Sequence, residues 1–216
     1  MQLTRVEIEG KRWYKGPDGK LYPSAGSVLD ILFPFNKDFI KEVDLARGTL
    51  CHELTAQSLL AGVSGNESWF DDWCKAALLE GVHTEDDIGR AMARVSKVVE
   101  YLNQFTIETI SIESPILFLG VGMTPDYTCK EMNTTNTWRK RLFDWKYAES
   151  IDESYYYQAE LYGRAEKADL ATILQCNRKG EVFPHNVDAS PERWELIKSA
   201  INVRHHQTKK EIRRYV

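Results

Sequence analysis

The polar stretch Asn133-Thr134-Thr135-Asn136 lies midway between two segments of alternating polarity, and it restricts the fold more than any other feature. Asn tolerates turn dihedrals and bonds locally through its side chain, so a bend is predicted there. Ahead of the bend, Thr124, Asp126 and Thr128 alternate with Pro125, Tyr127 and Cys129. Beyond it, Phe143, Trp145 and Tyr147 alternate with Asp144 and Lys146. A period of two marks half-buried strands. Folding the chain about Thr135 sets Asp126 opposite Asp144, with Cβ atoms roughly 5 Å apart. Lys146 then points to the same side as Asp144. Two carboxylates that close repel, whereas a hard cation between them reverses the sign of the effect. An ordinary amphipathic hairpin with a cross-strand Lys–Asp contact accounts for the same alternation.

The chain has 216 residues, 43% of them hydrophobic and 28% charged, which fits one ordinary globular domain with a sizeable core. No run approaches the ~18 apolar residues of a membrane span, and the first residues hold no apolar leader. No membrane partner and a cytoplasmic location are therefore expected. Cys51, Cys74, Cys129 and Cys176 are scattered, which argues against a structural zinc or iron–sulfur site and for reduced thiols. A net charge of -4 argues against coating a polyanion over the whole surface. Local basic stretches remain, at Trp138-Arg139-Lys140-Arg141 and at Arg204, Lys209, Lys210, Arg213 and Arg214; solvated charge is the plain reading of each alone.

Along the chain, the Pro17-Asp18-Gly19 turn separates two short strands within residues 5–24. A short helix capped by Ser24 or Ser27 runs to Leu32. A helical stretch over 37–61 is expected to break at Gly48, with Thr49 capping a new helix that carries His52 and Glu53. The face around His52 is built of small or polar residues, so another group could approach it; most helical histidines are nonetheless plain surface or core residues. Helices follow over 68–81 and 84–105, the second with a stripe of Ile88, Ala91, Val95, Val98, Val99 and Leu102. Residues 106–113 predict a strand, and 115–122 a central strand covered on both faces. Gly120 and Gly122 allow a close approach there. After the hairpin come a helix over 152–168, a strand over 170–176, a turn at Lys179-Gly180, and a long helix from Pro191 to Arg214 with Ser190 as candidate cap. The order predicts an α/β domain with a small mixed central sheet flanked by helices. Residues 1–105 form a mainly helical N-terminal part, 106–178 the sheet and its helix, and 190–216 a basic C-terminal helix.

Four blocks in this order resemble the PD-(D/E)XK nuclease superfamily, in its RecB-like and lambda-exonuclease-like branch. Ala46-Arg47-Gly48-Thr49 with His52-Glu53 resembles the family's "RGT..H" helix, and Gly122-Met123-Thr124-Pro125-Asp126 its "G-x-P-D" strand. Asp144-Trp145-Lys146 resembles the (D/E)-x-K strand, and Gln158-Ala159-Glu160-Leu161-Tyr162 the Q-x-x-x-Y helix. Tyr22-Pro23-Ser24-Ala25-Gly26-Ser27-Val28-Leu29 is similar to the "YPSVTSVL" opening of phage and mitochondrial exonuclease relatives, with Ala25-Gly26 in place of Val-Thr. Tyr147 stands where Thr is common, and the C-terminal cysteine group of iron–sulfur relatives is missing.

The resemblance implies a restriction-endonuclease-like core and a DNA nuclease dependent on Mg²⁺, with Mn²⁺ as substitute. It implies that Asp126 and Asp144 bind the metal, with His52 and the backbone carbonyl of Trp145 as further ligands. Lys146 is the implied catalytic lysine, orienting or helping to deprotonate a water. Glu113 is a candidate outer-shell acid or second-metal ligand, or else a surface strand-end carboxylate. Gln158 and Tyr162 are implied to position the phosphate or support Lys146. Arg139, Lys140, Arg141, Lys209, Lys210 and Arg213 are candidate DNA contacts, and Tyr155, Tyr156, Tyr157 and Trp138 are candidates for stacking on bases. Single- or double-stranded DNA is the expected partner, and an exonuclease in phage-type recombination, repair or replication the expected role. A single-strand-annealing or replication protein is a further candidate partner. Two other readings use the same residues: a non-catalytic nucleic-acid-binding protein on a nuclease-like fold, and an α/β domain whose acids are incidental.

Overall fold

The computed structural model describes residues 3–34, 42–64 and 83–212. The chain starts with a three-stranded antiparallel sheet, β1 (Thr4–Ile8), β2 (Lys11–Lys15) and β3 (Leu21–Pro23). Gly19, at φ 77°, closes the expected β2–β3 turn. The unexpected β1–β2 turn is made by Glu9 and Gly10, at φ 51° and 70°. Gly adopts that region freely and Glu does not, so the pair gives little turn signal. Helix α1 (Ala25–Leu32) begins where Ser24 caps it, its hydroxyl accepting from Ser27 N–H at 3.2 Å.

Helix α2 (Glu42–Ser64) is continuous through Gly48, so the expected break and the Thr49 cap do not occur. A mid-helix glycine costs about 1 kcal/mol. Burial of Leu50, Cys51 and Leu54 against Ile88, Ala91 and Val95 of α3 (Glu85–Leu102) outweighs that cost. Thr84 and Asp87 form a capping box at the start of α3, and the expected apolar stripe faces inward. The helix expected over 68–81 lies outside the described residues.

Next come β4 (Ile107–Ile112), β5 (Ile116–Phe118), β6 (Val121–Met123), β7 (Tyr127–Met132) and β8 (Trp138–Lys146). Helix α4 (Glu153–Glu166), capped by Asp152, crosses to β9 (Leu170–Cys176), and β10 (Val182–Val187) and α5 (Pro191–Ile212) close the described chain. The Ser190 hydroxyl accepts from Arg193 N–H at 3.2 Å, as expected of a cap. Five strands form the central sheet in the order β10-β9-β8-β7-β4, with β8 and β9 parallel and the other pairs antiparallel. The fold is thus α/β with a mixed central sheet flanked by helices. One face packs Leu142 and Ile173 against α1, α4 and α5; the other packs Phe143, Trp145 and Leu174 against α3. The polar side of β8 is therefore covered rather than half exposed. Among the described residues no helix is long and apolar enough to cross a membrane.

Residues 115–122 do not form one central strand. They fold into the β5–β6 hairpin, outside the main sheet, about Leu119 and Gly120 at φ 49° and 70°. A Leu in the left-handed region gives no turn signal, so the run read as a buried strand. Gly122 has a packing reason: an added Cβ would lie 2.3 Å from Cγ of Tyr14, a buried ring whose hydroxyl bonds Thr124. Gly122→Ala is expected to destabilise the protein by about 1–3 kcal/mol, read from the midpoint of denaturant unfolding. An unchanged midpoint would mean that the Tyr14 contact yields without cost.

Candidate functional site

The bend between β7 and β8 fixes the centre of the site. Asn133 N–H donates to Thr137 C=O at 3.0 Å, and the Asn133 side-chain oxygen accepts from Thr135 N–H and Thr137 N–H at 3.0 Å each. Tyr127 pairs with Phe143, the rung that the expected bend predicts, and Asp126 and Asp144 flank that rung close enough for their charges to act on each other. Glu113 N–H donates to Asp126 C=O at 2.9 Å, which ties the end of β4 to the same spot. Helix α2 brings in His52, whose Nδ1 is 3.7 Å from Asp126 Oδ1. One potential ligand atom each from His52, Glu113 and Asp126 lies within 4.8 Å of the others.

Asp126 Oδ2 accepts from Trp145 N–H at 2.9 Å, so the amide of the (D/E)-x-K segment is held on the first acid. Lys146 Nζ lies 2.8 Å from Asp144 Oδ2 and 5.1 Å from the centre of the Tyr155 ring. Asp144 is wholly buried, and no hydrogen bond of normal geometry reaches either of its oxygens. A buried carboxylate with only an ammonium beside it has acceptor capacity to spare. That orphaned capacity, beside an imidazole and two more carboxylates, is a donor set that suits Mg²⁺ or Mn²⁺. Asp144 stands with Lys146, adjoining the close His52–Glu113–Asp126 group rather than within it.

The electrostatics fit crowded negative charge. Burial, then the neighbouring Asp126, pushes Glu113 up to about 7. Burial likewise raises Asp144 to about 6 against the pull of Lys146. Asp126 is just as buried, but His52 beside it overcomes the effect and holds its carboxyl below the ordinary range. Burial works to lower Lys146, and the Asp144 and Asp126 carboxylates outweigh it, so its pKa lies above that of an ordinary lysine.

Gln158 and Tyr162 lie one turn apart on α4, and the Gln158 amide donates to the Tyr162 hydroxyl at 3.1 Å. Tyr162 is near enough to Asp144 and Asp126 for their charges to add to the burial that raises its pKa. Tyr155 caps Lys146, and Tyr157 packs edge-on against Phe33. Trp138 is exposed at the start of β8.

Within the basic triplet, Arg141 is withdrawn from the surface. Arg141 is buried, ion-paired with Glu131 at 2.6 Å and bonded to Thr172. Arg139 pairs with Glu131 at 3.1 Å, and Lys140 with Glu166 at 2.8 Å. Freeing Arg141 for a phosphate would break a buried ion pair and leave Glu131 to Arg139 alone. Lys209 and Lys210 are exposed on α5, and Arg213 lies outside the described residues. Sequence reasoning missed Arg5, whose charge acts on Glu113, and Thr55, which hydrogen-bonds the Tyr147 hydroxyl. Both are tertiary neighbours that no local pattern announces.

No family model matches the chain, and no curated protein does. A solved structure titled "Crystal structure of SSO0001" aligns over 80% of this chain and 79% of its own, at 10% identity and a TM-score of 0.35. A likeness at that level carries no argument about activity.

Proposed function

We propose that the protein is a divalent-metal-dependent nuclease that hydrolyses phosphodiester bonds of DNA, acting as an exonuclease in the cytoplasm. The observation that carries this reading is the convergence of His52, Glu113 and Asp126 within 4.8 Å, next to a buried Asp144–Lys146 pair. A structural cluster would not need an imidazole, three acids and a lysine at one end of a sheet.

His52, Glu113 and Asp126 would hold the ion, with Asp144 alongside. Bound there, Mg²⁺ or Mn²⁺ supplies Lewis acidity at a phosphoryl oxygen and a lowered pKa to a coordinated water. The chain's own groups do the rest. Lys146 would orient the attacking water or donate to a phosphoryl oxygen and so offset the negative charge that grows as the water attacks phosphorus; without metal, the Asp144 and Asp126 carboxylates hold its pKa above that of an ordinary lysine. Asp144 fixes the ammonium in place at 2.8 Å, and the Tyr155 ring covers it from the side. Trp145 N–H orients Asp126, so one oxygen of that carboxylate is spoken for and the other faces His52. Tyr162, whose hydroxyl accepts from the Gln158 amide and lies within electrostatic reach of the acids, would donate to a phosphate oxygen.

End-labelled DNA strands incubated with Mg²⁺, Mn²⁺ or chelator test the reading. Shortening of the strand with either metal and none in chelator is the expected result. Strand binding without cleavage under any metal would favour the non-catalytic binding protein instead.

A further inference from the structure

We infer that the N-terminal hairpin and the end of α5 form a track for the phosphate backbone of a single nucleic-acid strand leading to the metal site, a proposal that rests on the nuclease reading. A cleft of about 1320 Å³ opens between the β1–β2 hairpin, the start of α1 and the end of α5. Its wall carries five basic side chains, Arg5, Lys11, Arg12, Arg204 and Lys210, against three acidic ones. One of those acids, Glu211, is already held by Arg204 at 3.0 Å and faces Lys11 at 3.6 Å. Arg5, Arg12 and Lys210 form no ion pair among the described residues, so their charge is open to a ligand.

The cleft's size and lining select the occupant. Small-molecule pockets run to roughly 1,000 Å³ and are mostly apolar and aromatic. This recess is larger, and no aromatic side chain lines it. Without a stacking platform it holds backbone rather than bases, and so reads no sequence.

Position joins the cleft to the site. Arg5 lines it and also acts electrostatically on Glu113. Ser24, in the same wall, bridges to Gly122 of β6. Gly122 stands four residues before Asp126, which is at most ~14 Å of extended chain.

The test measures binding of labelled oligodeoxythymidylate in chelator, so that no cleavage intervenes, across a salt series. Arg12 and Lys210 are exposed, and the Arg12→Ala/Lys210→Ala variant should fold. Each phosphate contact on a single strand contributes ~0.7 to the slope of log affinity against log salt. The double variant is expected to bind at least several-fold more weakly at low salt, with a slope smaller by ~1.4. An unchanged slope, or a wild type that binds no strand, overturns the track. An equal slope loss with a blunt duplex of the same length overturns its assignment to a single strand. The rise in melting temperature on adding Mn²⁺ reports on the metal cluster separately. If that rise is missing while the slope responds, the nuclease reading fails and only a strand-binding cleft remains; if the rise is present and the slope does not move, the track alone fails.

Discussion

If the protein is a metal-dependent nuclease, Lys146→Ala and Asp144→Asn are each expected to lower strand cleavage by about 10²–10³-fold, with strand binding in chelator retained. That range is typical for removing one preorganised group that meets charge developing in the transition state. On this reading Lys146 is such a group, set 2.8 Å from Asp144, with two carboxylates raising its pKa in the absence of metal. Asp144 acts partly through it. The two are therefore a unit, and the double variant should be little worse than either single one, since groups acting together are not additive. The substitutions differ in their effect on folding. Lys146→Ala strands a wholly buried carboxylate, which takes up a proton instead of staying charged; Asp144→Asn removes that charge. Single-turnover cleavage, with a melting curve for each variant, separates loss of chemistry from loss of fold. Cleavage at the parental rate by both variants would remove the pair from the mechanism.

In chelator, the melting temperature should fall as pH rises from about 5 to 7.5. Glu113 is raised to about 7 and Asp144 to about 6, both above ordinary carboxylates. A raised carboxyl binds its proton more tightly in the native state than in the unfolded chain. Its contribution is full below the unfolded value and is lost as pH climbs through the folded one. Asp126 is shifted the other way, so its contribution is lost only in acid, as pH falls toward its folded value. It does not cancel the trend between pH 5 and 7.5. Divalent metal reverses the trend. The ion needs the deprotonated ligands and binds only the folded protein, at ~2.7 kcal/mol for a hundredfold excess over Kd. The Mn²⁺-induced rise in melting temperature should therefore be larger at pH 7.5 than at pH 5.5. A rise of equal size at both pH values, or a chelated protein that gains stability over this range, would show that the cluster does not bind as described.

Much of this site could be read from the sequence because it is local. The bend at 133–136 is symmetric between two alternating strands, so the Tyr127–Phe143 rung beside Asp126 and Asp144 follows from counting. The cap at Ser190 and the stripe on α3 are equally local signals. The same counting would have paired Arg139 with Glu131, directly opposite it. What escaped were places where a residue sits against its own preference. Pro184 lies within β10, an edge strand where a missing N–H is tolerated, and it hid that strand. Leu119 and Glu9 turn the chain at positive φ with side chains that rarely do so. Gly48 stays helical because the packing of α2 on α3 overrides propensity. Arg5 reaches Glu113 only through the folding of the N-terminal sheet.

Anomalous scattering from a crystal soaked in Mn²⁺ tests the metal centre most directly. A peak bounded by His52, Glu113 and Asp126, at about 2.0–2.5 Å from their oxygen or nitrogen atoms, is the predicted result. An empty cluster in a crystal of protein that cuts DNA with Mn²⁺, or a peak bound elsewhere, would contradict it.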